Sequence, residues 1–155
     1  MKIEGEYVFD GPREEVWKML RDPDVLVTVL PGTKNLKQTS ANEYEGELQI
    51  QVGPIMGSFG GRLTISNEQP PESLTLTVEG TGKIGFAKGA GDVTLLSRGD
   101  VTTWMGYTGD IQIGGRVASV GQRLLDVVSK KMIGQGLDKL NATLRERVAK
   151  QSGSD

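Results

Sequence analysis

The sequence contains no cysteine and no histidine among its 155 residues. Without cysteine there is no disulfide, no thiolate nucleophile and no cysteine-based metal site. Without histidine there is no Ser-His-Asp triad, no imidazole base and no histidine-ligated metal. Carboxylates, Lys, Tyr, Ser and Thr are the side chains left for catalysis, and no pattern among them calls for a metal or an organic cofactor. No apolar run approaches the roughly 20 residues that span a bilayer. Met1-Lys2 leads straight into an alternating pattern with no signal-peptide h-region behind it. The expected location is the cytoplasm. Aromatic residues make up only 5% of the chain, so any core must be filled mainly with aliphatic side chains.

Charge is scarce in net terms and uneven in placement. The total is −2, which gives no reason to expect nucleic acid as a partner. Residues 116–150 hold eight Lys/Arg against three Asp/Glu, a net of +5 that leaves −7 for the rest. Two readings stay open. One is a solvated helix face whose cations suit the helix dipole. The other is a basic strip that meets anionic headgroups or an acidic partner protein.

Glycine is abundant, with 22 residues and no short repeat. The glycines fall within strand patterns and at strand ends, where they mark bulges, bends and close backbone approach. A strongly bent sheet is expected.

The longest periodic segment runs from about Arg116 to about Lys150. Val117, Gly121, Leu124, Val128, Met132, Gly136, Leu140, Leu144 and Val148 recur in steps of three and four, with Val120, Leu125, Ile133 and Leu137 widening the stripe. The spacing predicts one helix roughly 50 Å long. Gly121, Gly134 and Gly136 lie within it, each costing roughly 1 kcal/mol against alanine. Two readings stay open: close helix-to-sheet contact or a break near Gly134–Gly136, and room for a ligand beneath the helix or a hinge that opens a pocket.

Before that helix the pattern is mostly sheet. Lys2 to Phe9 reads as a strand with Ile3, Tyr7 and Phe9 on one side. Pro12 opens a short helix through Leu20, and Asp22-Pro23 opens a second through about Val29. Residues 34–39 form a weak strand. Tyr44 to Val52 alternates cleanly, placing Tyr44, Gly46, Leu48, Ile50 and Val52 on the buried face. Strands follow over Phe59–Asn67, Leu74–Val78, Val93–Leu96 and Val101–Ile113, the last with Met105, Tyr107 and Ile111 facing in and Trp104 facing out. The predicted order is strand, two short helices, six strands and a long helix, an α+β layer arrangement.

A seven-stranded bent antiparallel sheet under one helix is hard to fill with this aliphatic content, so an apolar pocket is expected. The candidate lining comprises Leu48, Ile50, Val52, Phe59, Leu63, Leu76, Val78 and Tyr107 from strands, with Gly121, Leu125, Val128 and Met132 from the helix. Ile55, Met56 and Phe86, on predicted loops, are candidates for an apolar mouth. For any one of these residues plain core packing is the simpler account, and it is the set together that points to a pocket. Tyr7, Tyr44, Tyr107, Asp92, Asp110 and Arg62 are the candidates for a catalytic cluster, but no pair of carboxylates has acid/base spacing. Gly80-Thr81-Gly82 lacks the Gly-Lys-Ser/Thr ending of a phosphate loop.

Several local motifs carry a resemblance. They are Leu30-Pro31-Gly32, Tyr44-Glu45-Gly46, Val52-Gly53-Pro54-Ile55 with Gly57 and Phe59, Gly85-Phe86-Ala87-Lys88-Gly89, and Gly114-Gly115 running into Gly121 and Arg123-Leu124-Leu125-Asp126. In this order and spacing the chain resembles the carbon monoxide dehydrogenase CoxG family of the START-like (SRPBCC) superfamily. The resemblance implies a helix-grip fold over a single domain, residues 1–151, with 152–155 as a short polar tail. It implies an internal cavity for a hydrophobic small molecule such as a lipid or quinone. It also implies an accessory role for a molybdenum hydroxylase such as carbon monoxide dehydrogenase, including recruitment to the inner face of the membrane. Longer family members carry a C-terminal extension that reaches the membrane. With Ser152-Gly153-Ser154-Asp155 at this position, stable anchoring by the tail is not expected. The alternatives are a cyclase or hydrolase of the same superfamily acting on a bulky apolar substrate, and a pure interaction domain without a usable cavity.

Overall fold

The computed structural model describes residues 1–29 and 32–153. β1 (Lys2–Phe9) is followed by α1 (Arg13–Leu20) and α2 (Pro23–Val29). Six strands come next: β2 (Thr33–Ser40), β3 (Glu43–Val52), β4 (Ile55–Gln69), β5 (Ser73–Gly82), β6 (Gly85–Arg98) and β7 (Thr102–Gly114). A short 3-10 turn (Arg116–Val120) then leads into α3 (Gln122–Gly153). The strands form one antiparallel sheet in the order β1-β7-β6-β5-β4-β3-β2. The expected element order, strand count and α+β class are all present.

Alternation in the sequence becomes a two-sided sheet. On β3, Tyr44 and Val52 are buried while Glu45, Glu47, Gln49 and Gln51 are exposed. On β7, Met105 is buried and Asp110 exposed, as the register reading requires. Hairpins are tight: Val52 pairs with Ile55 around Gly53-Pro54, and Gly82 pairs with Gly85 around Lys83-Ile84. Gly53 sits at φ +58°, a left-handed conformation that glycine adopts without a Cβ penalty.

Four local expectations need correction. Ile55, Met56 and Phe86 are not on loops. They begin β4 and β6, because two-residue turns let the ladders run almost to the hairpin tips. The terminal helix does not start at Arg116. Gly121, at φ +97°, separates the 3-10 turn from α3 and so lies outside the long helix. Nor does α3 break at Gly134–Gly136: its 32 residues run unbroken, about 48 Å at the usual rise. A Cβ at Gly134 would meet no atom within 4 Å, so no close packing explains that residue. Finally, Ser152 and Gly153, read as tail, continue α3. Leu30 and Pro31 of the Leu30-Pro31-Gly32 motif lie outside the described residues, as do Ser154 and Asp155.

The core is divided. One cluster gathers Phe9, Val16, Met19, Val25, Leu26, Tyr44, Ile65, Leu74, Val93, Leu95 and Met105 beneath Leu140 and Leu144 of α3. The other gathers Val52, Ile55, Phe59, Ile84, Val117 and Leu125 near the start of α3. Polar contacts fasten the far half of α3. Asp10 accepts from Asn141 Nδ2 at 3.0 Å and from Arg145 Nε at 2.8 Å. Tyr7 donates to Asp138 at 2.8 Å, and Arg147 pairs with Asp22 at 3.1 Å. Residues 122–133 of α3 have no ion pair to the sheet among the described residues, and Leu125 packs into the second cluster with Leu124 and Val128 beside it.

Candidate functional site: an apolar cavity between sheet and helix

Between the two core clusters lies a cavity of about 370 Å³. Its floor is the inward face of β3, β4, β5, β6 and β7. Its roof is Leu125, Val128, Ser129, Met132 and Ile133 of α3, and Thr33 and Leu36 of the edge strand β2 flank it. Val78 measures how empty it is. This side chain comes from β5, an interior strand of the seven, and borders the cavity, yet it is 38% exposed. An interior-strand side chain on the helix side stays that open only where nothing packs on it.

The void has a local cause in the register. Gly46 pairs with Gly61, Gly61 with Gly80, and Gly80 with Ala87. These four positions form one row across the sheet, and all four border the cavity. Along that row only the Ala87 methyl rises toward α3, while Leu48, Phe59, Leu63 and Val78 stand on either side of it. A Cβ at Gly80 would lie 3.4 Å from Phe59 Cβ, an ordinary contact, so the backbone there tolerates a side chain that would project into the void.

The lining is almost wholly apolar. Glu47, Arg62 and Glu79 border the cavity, but all three are exposed, and Arg62 turns outward to Glu43 at 2.9 Å and Glu45 at 3.4 Å. Tyr44 also borders it, but its hydroxyl donates to the Arg21 carbonyl at 3.0 Å. The other catalytic candidates do not converge. Tyr7 is engaged by Asp138, and its pKa is pushed up to about 12 by burial first and that hydrogen bond second. Tyr107 packs on the first core cluster with its ring against Gly5, and burial raises its pKa as well. Asp92 accepts from Thr75 on an exposed surface, and Asp110 is also exposed.

Of the sequence candidates, Leu48, Ile50, Val52, Phe59, Leu63, Val78, Leu125, Val128 and Met132 all line the cavity. Six do not. Ile55 is buried in the second cluster, which closes that end of the molecule. Met56 is 61% exposed, one strand position from Ile55 and therefore on the opposite face. Phe86 is likewise on the outer face, its ring over Gly114. Leu76 and Tyr107 pack on the first cluster, and Gly121 has no neighbour within 4 Å of where its Cβ would sit. Sequence reasoning missed Gly46, Gly61, Gly80, Ala87, Ile113, Val117 and Ile133 as lining. A usable signal was present: a glycine stands two positions from an inward Leu or Val on each of three successive strands.

A bent seven-stranded sheet closed by one long helix over an apolar cavity is the helix-grip architecture of START-like proteins. The sequence matches the model of the carbon monoxide dehydrogenase CoxG family over residues 5–145. The chain belongs to that family. Solved structures agree on the fold. A conserved protein from Geobacillus kaustophilus is 30% identical, with 94% of this chain and 96% of that one covered and a TM-score of 0.90. The Zhui aromatase/cyclase from a Streptomyces species is 15% identical over 96% and 95%, with a TM-score of 0.72. A START superfamily protein from Mycobacterium smegmatis is 8% identical over 94% and 97%, with a TM-score of 0.70. No curated protein matches the sequence.

Proposed function

We propose that this protein is a non-catalytic carrier. It takes a neutral hydrophobic molecule, a lipid or a quinone, into the cavity under α3 and serves a molybdenum hydroxylase as an accessory and membrane-recruitment factor. The observation that carries the binding half is the cavity of about 370 Å³, whose floor residue Val78 remains 38% exposed. An apolar space of that size falls within the range of small-molecule sites. The charged residues at its border, Glu47, Arg62 and Glu79, are exposed, so an ionic group buried among the apolar lining would lie unpaired at a cost of several kcal/mol. The non-catalytic half is supported by side chains that do not converge on the cavity: Tyr7 and Tyr44 hydrogen-bond elsewhere, Tyr107 packs on the first cluster, and Asp92 and Asp110 are exposed. The accessory half is supported by family membership.

Among the described residues no helix is long and apolar enough to cross a membrane. Membrane contact in this reading is peripheral. It is made by Arg123, Lys130 and Lys131, which are exposed around Val127, itself 57% exposed. None of the three cations has an ion pair among the described residues. The test is native mass spectrometry with organic extraction of the protein purified from its host, alongside titration with a short-chain quinone. A co-purifying apolar molecule, displaced by the quinone, is expected. Extraction that yields nothing, together with no quinone binding, would falsify the carrier reading.

A further inference from the structure

The outer face of the sheet carries an apolar patch that neither the core nor the cavity explains. Val8 of β1 pairs with Trp104 of β7, and Trp104 pairs with Leu96 of β6, so the three form one outward row across three strands. Val8 is 48% exposed and Leu96 50%, and Val101, in the adjoining hairpin, is 71% exposed. The Trp104 ring lies over Gly106, where a Cβ would collide with it. This fixes a large amphipathic ring in place at little further entropic cost, as in the anchors of protein interfaces.

The surroundings of the patch are acidic. Glu6, opposite Gly106, occupies the next outward row, and Glu4 and Asp92, both opposite Thr108, the row after that. Asp100 in the hairpin and Asp110 are also exposed, against Lys2 and Arg98 as the cations on this part of the face. A second copy meeting the patch face to face would set acidic rim against acidic rim. A basic partner meets it with opposite charge.

We propose that this row is the docking surface for the hydroxylase, taking a partner surface that presents an apolar side chain ringed by Lys or Arg. The inference rests on the accessory reading above and names the face it uses. The patch and α3 lie on opposite faces of the sheet. An enzyme on the outer face therefore leaves the helix and the cavity uncovered for membrane and ligand.

The test is biolayer interferometry of the chain against the purified holoenzyme of a carbon monoxide dehydrogenase-type molybdenum hydroxylase from the same host. The variants are Val8→Lys/Leu96→Lys and Glu4→Lys/Glu6→Lys, with Phe86→Lys, on the same face but away from the patch, as control. Binding at least tenfold weaker for both patch variants is expected, with Phe86→Lys unchanged and wild-type affinity falling as salt rises. Unaltered quinone uptake by the patch variants reports an intact fold. Patch variants that bind like wild type overturn the docking surface and leave the accessory reading standing. A wild-type chain that does not bind the holoenzyme overturns both.

Discussion

Gly80→Val is the most direct probe of the cavity. Position 80 lies in a paired strand, is not in the left-handed region, and has its nearest added contact at 3.4 Å on Phe59 Cβ. Valine would therefore fit the backbone and place three carbons in the void. Each buried methyl or methylene contributes about 0.8 kcal/mol, and half burial in an open cavity leaves about 1 kcal/mol in total. Replacing a strand glycine by a β-branched residue adds up to about 1 kcal/mol more. The ligand-free variant should thus be more stable by about 1–2 kcal/mol. At this chain length that is a rise in Tm of roughly 3–6 °C. Thermal and urea unfolding of delipidated protein would measure it, and quinone titration would show weaker uptake. The signs oppose one another: stability rises while binding falls. If Gly80→Val destabilised the fold, the glycine row would be a requirement of sheet curvature and not the floor of a ligand space. Undiminished uptake would equally refute the placement of the ligand on that row.

Three further outcomes follow from the same structure. Leu144→Ala empties a fully buried site whose methyl groups lie 2.8 Å from where a Gly11 Cβ would sit, and should cost about 3–4 kcal/mol in urea unfolding. Asp10 has its pKa lowered from 3.8, first by the hydrogen bond from Asn141 and then by that from Arg145. Its stabilisation is complete above the unfolded-state pKa and is lost as pH falls through the lower folded value. Urea midpoints of Asp10→Asn should therefore depend less on pH below about 4 than those of wild type, and identical pH profiles would remove Asp10 from the account. Lys130→Glu/Lys131→Glu should reduce co-sedimentation with anionic vesicles at low salt, and wild-type binding should itself fade as salt is raised. Equal sedimentation of variant and wild type would make the basic strip a solvated face.

Much of the architecture was legible because periodicity reports which side of an element is dry. Tyr44 to Val52 alternates so regularly that both the strand and its buried face followed. The stripe from Val117 to Val148 required a helix, and α3 takes it up from Gln122 onward. Reading failed where the signal is not periodic. Glycine does not distinguish a loop from a strand whose side chains have been removed, so the sequence places Phe86 and Ile55-Met56 on loops. Both belong to ladders that run on to two-residue turns. Gly121 fitted the helix stripe by spacing alone, but its positive φ, which spacing does not encode, sets it outside the helix.

The sequence alone determined the α+β class, the inward aliphatic face and the exclusion of cysteine and histidine chemistry, since these depend on residue identity and spacing along one strand or helix. The cavity was decided by tertiary structure. Gly46, Gly61, Gly80 and Ala87 are far apart in the chain and become one bare row only when register aligns four strands. The same holds for Val8, Trp104 and Leu96, each an ordinary apolar residue until pairing sets them side by side. A space or a patch is a property of neighbours across strands, and those neighbours are chosen by pairing between distant segments.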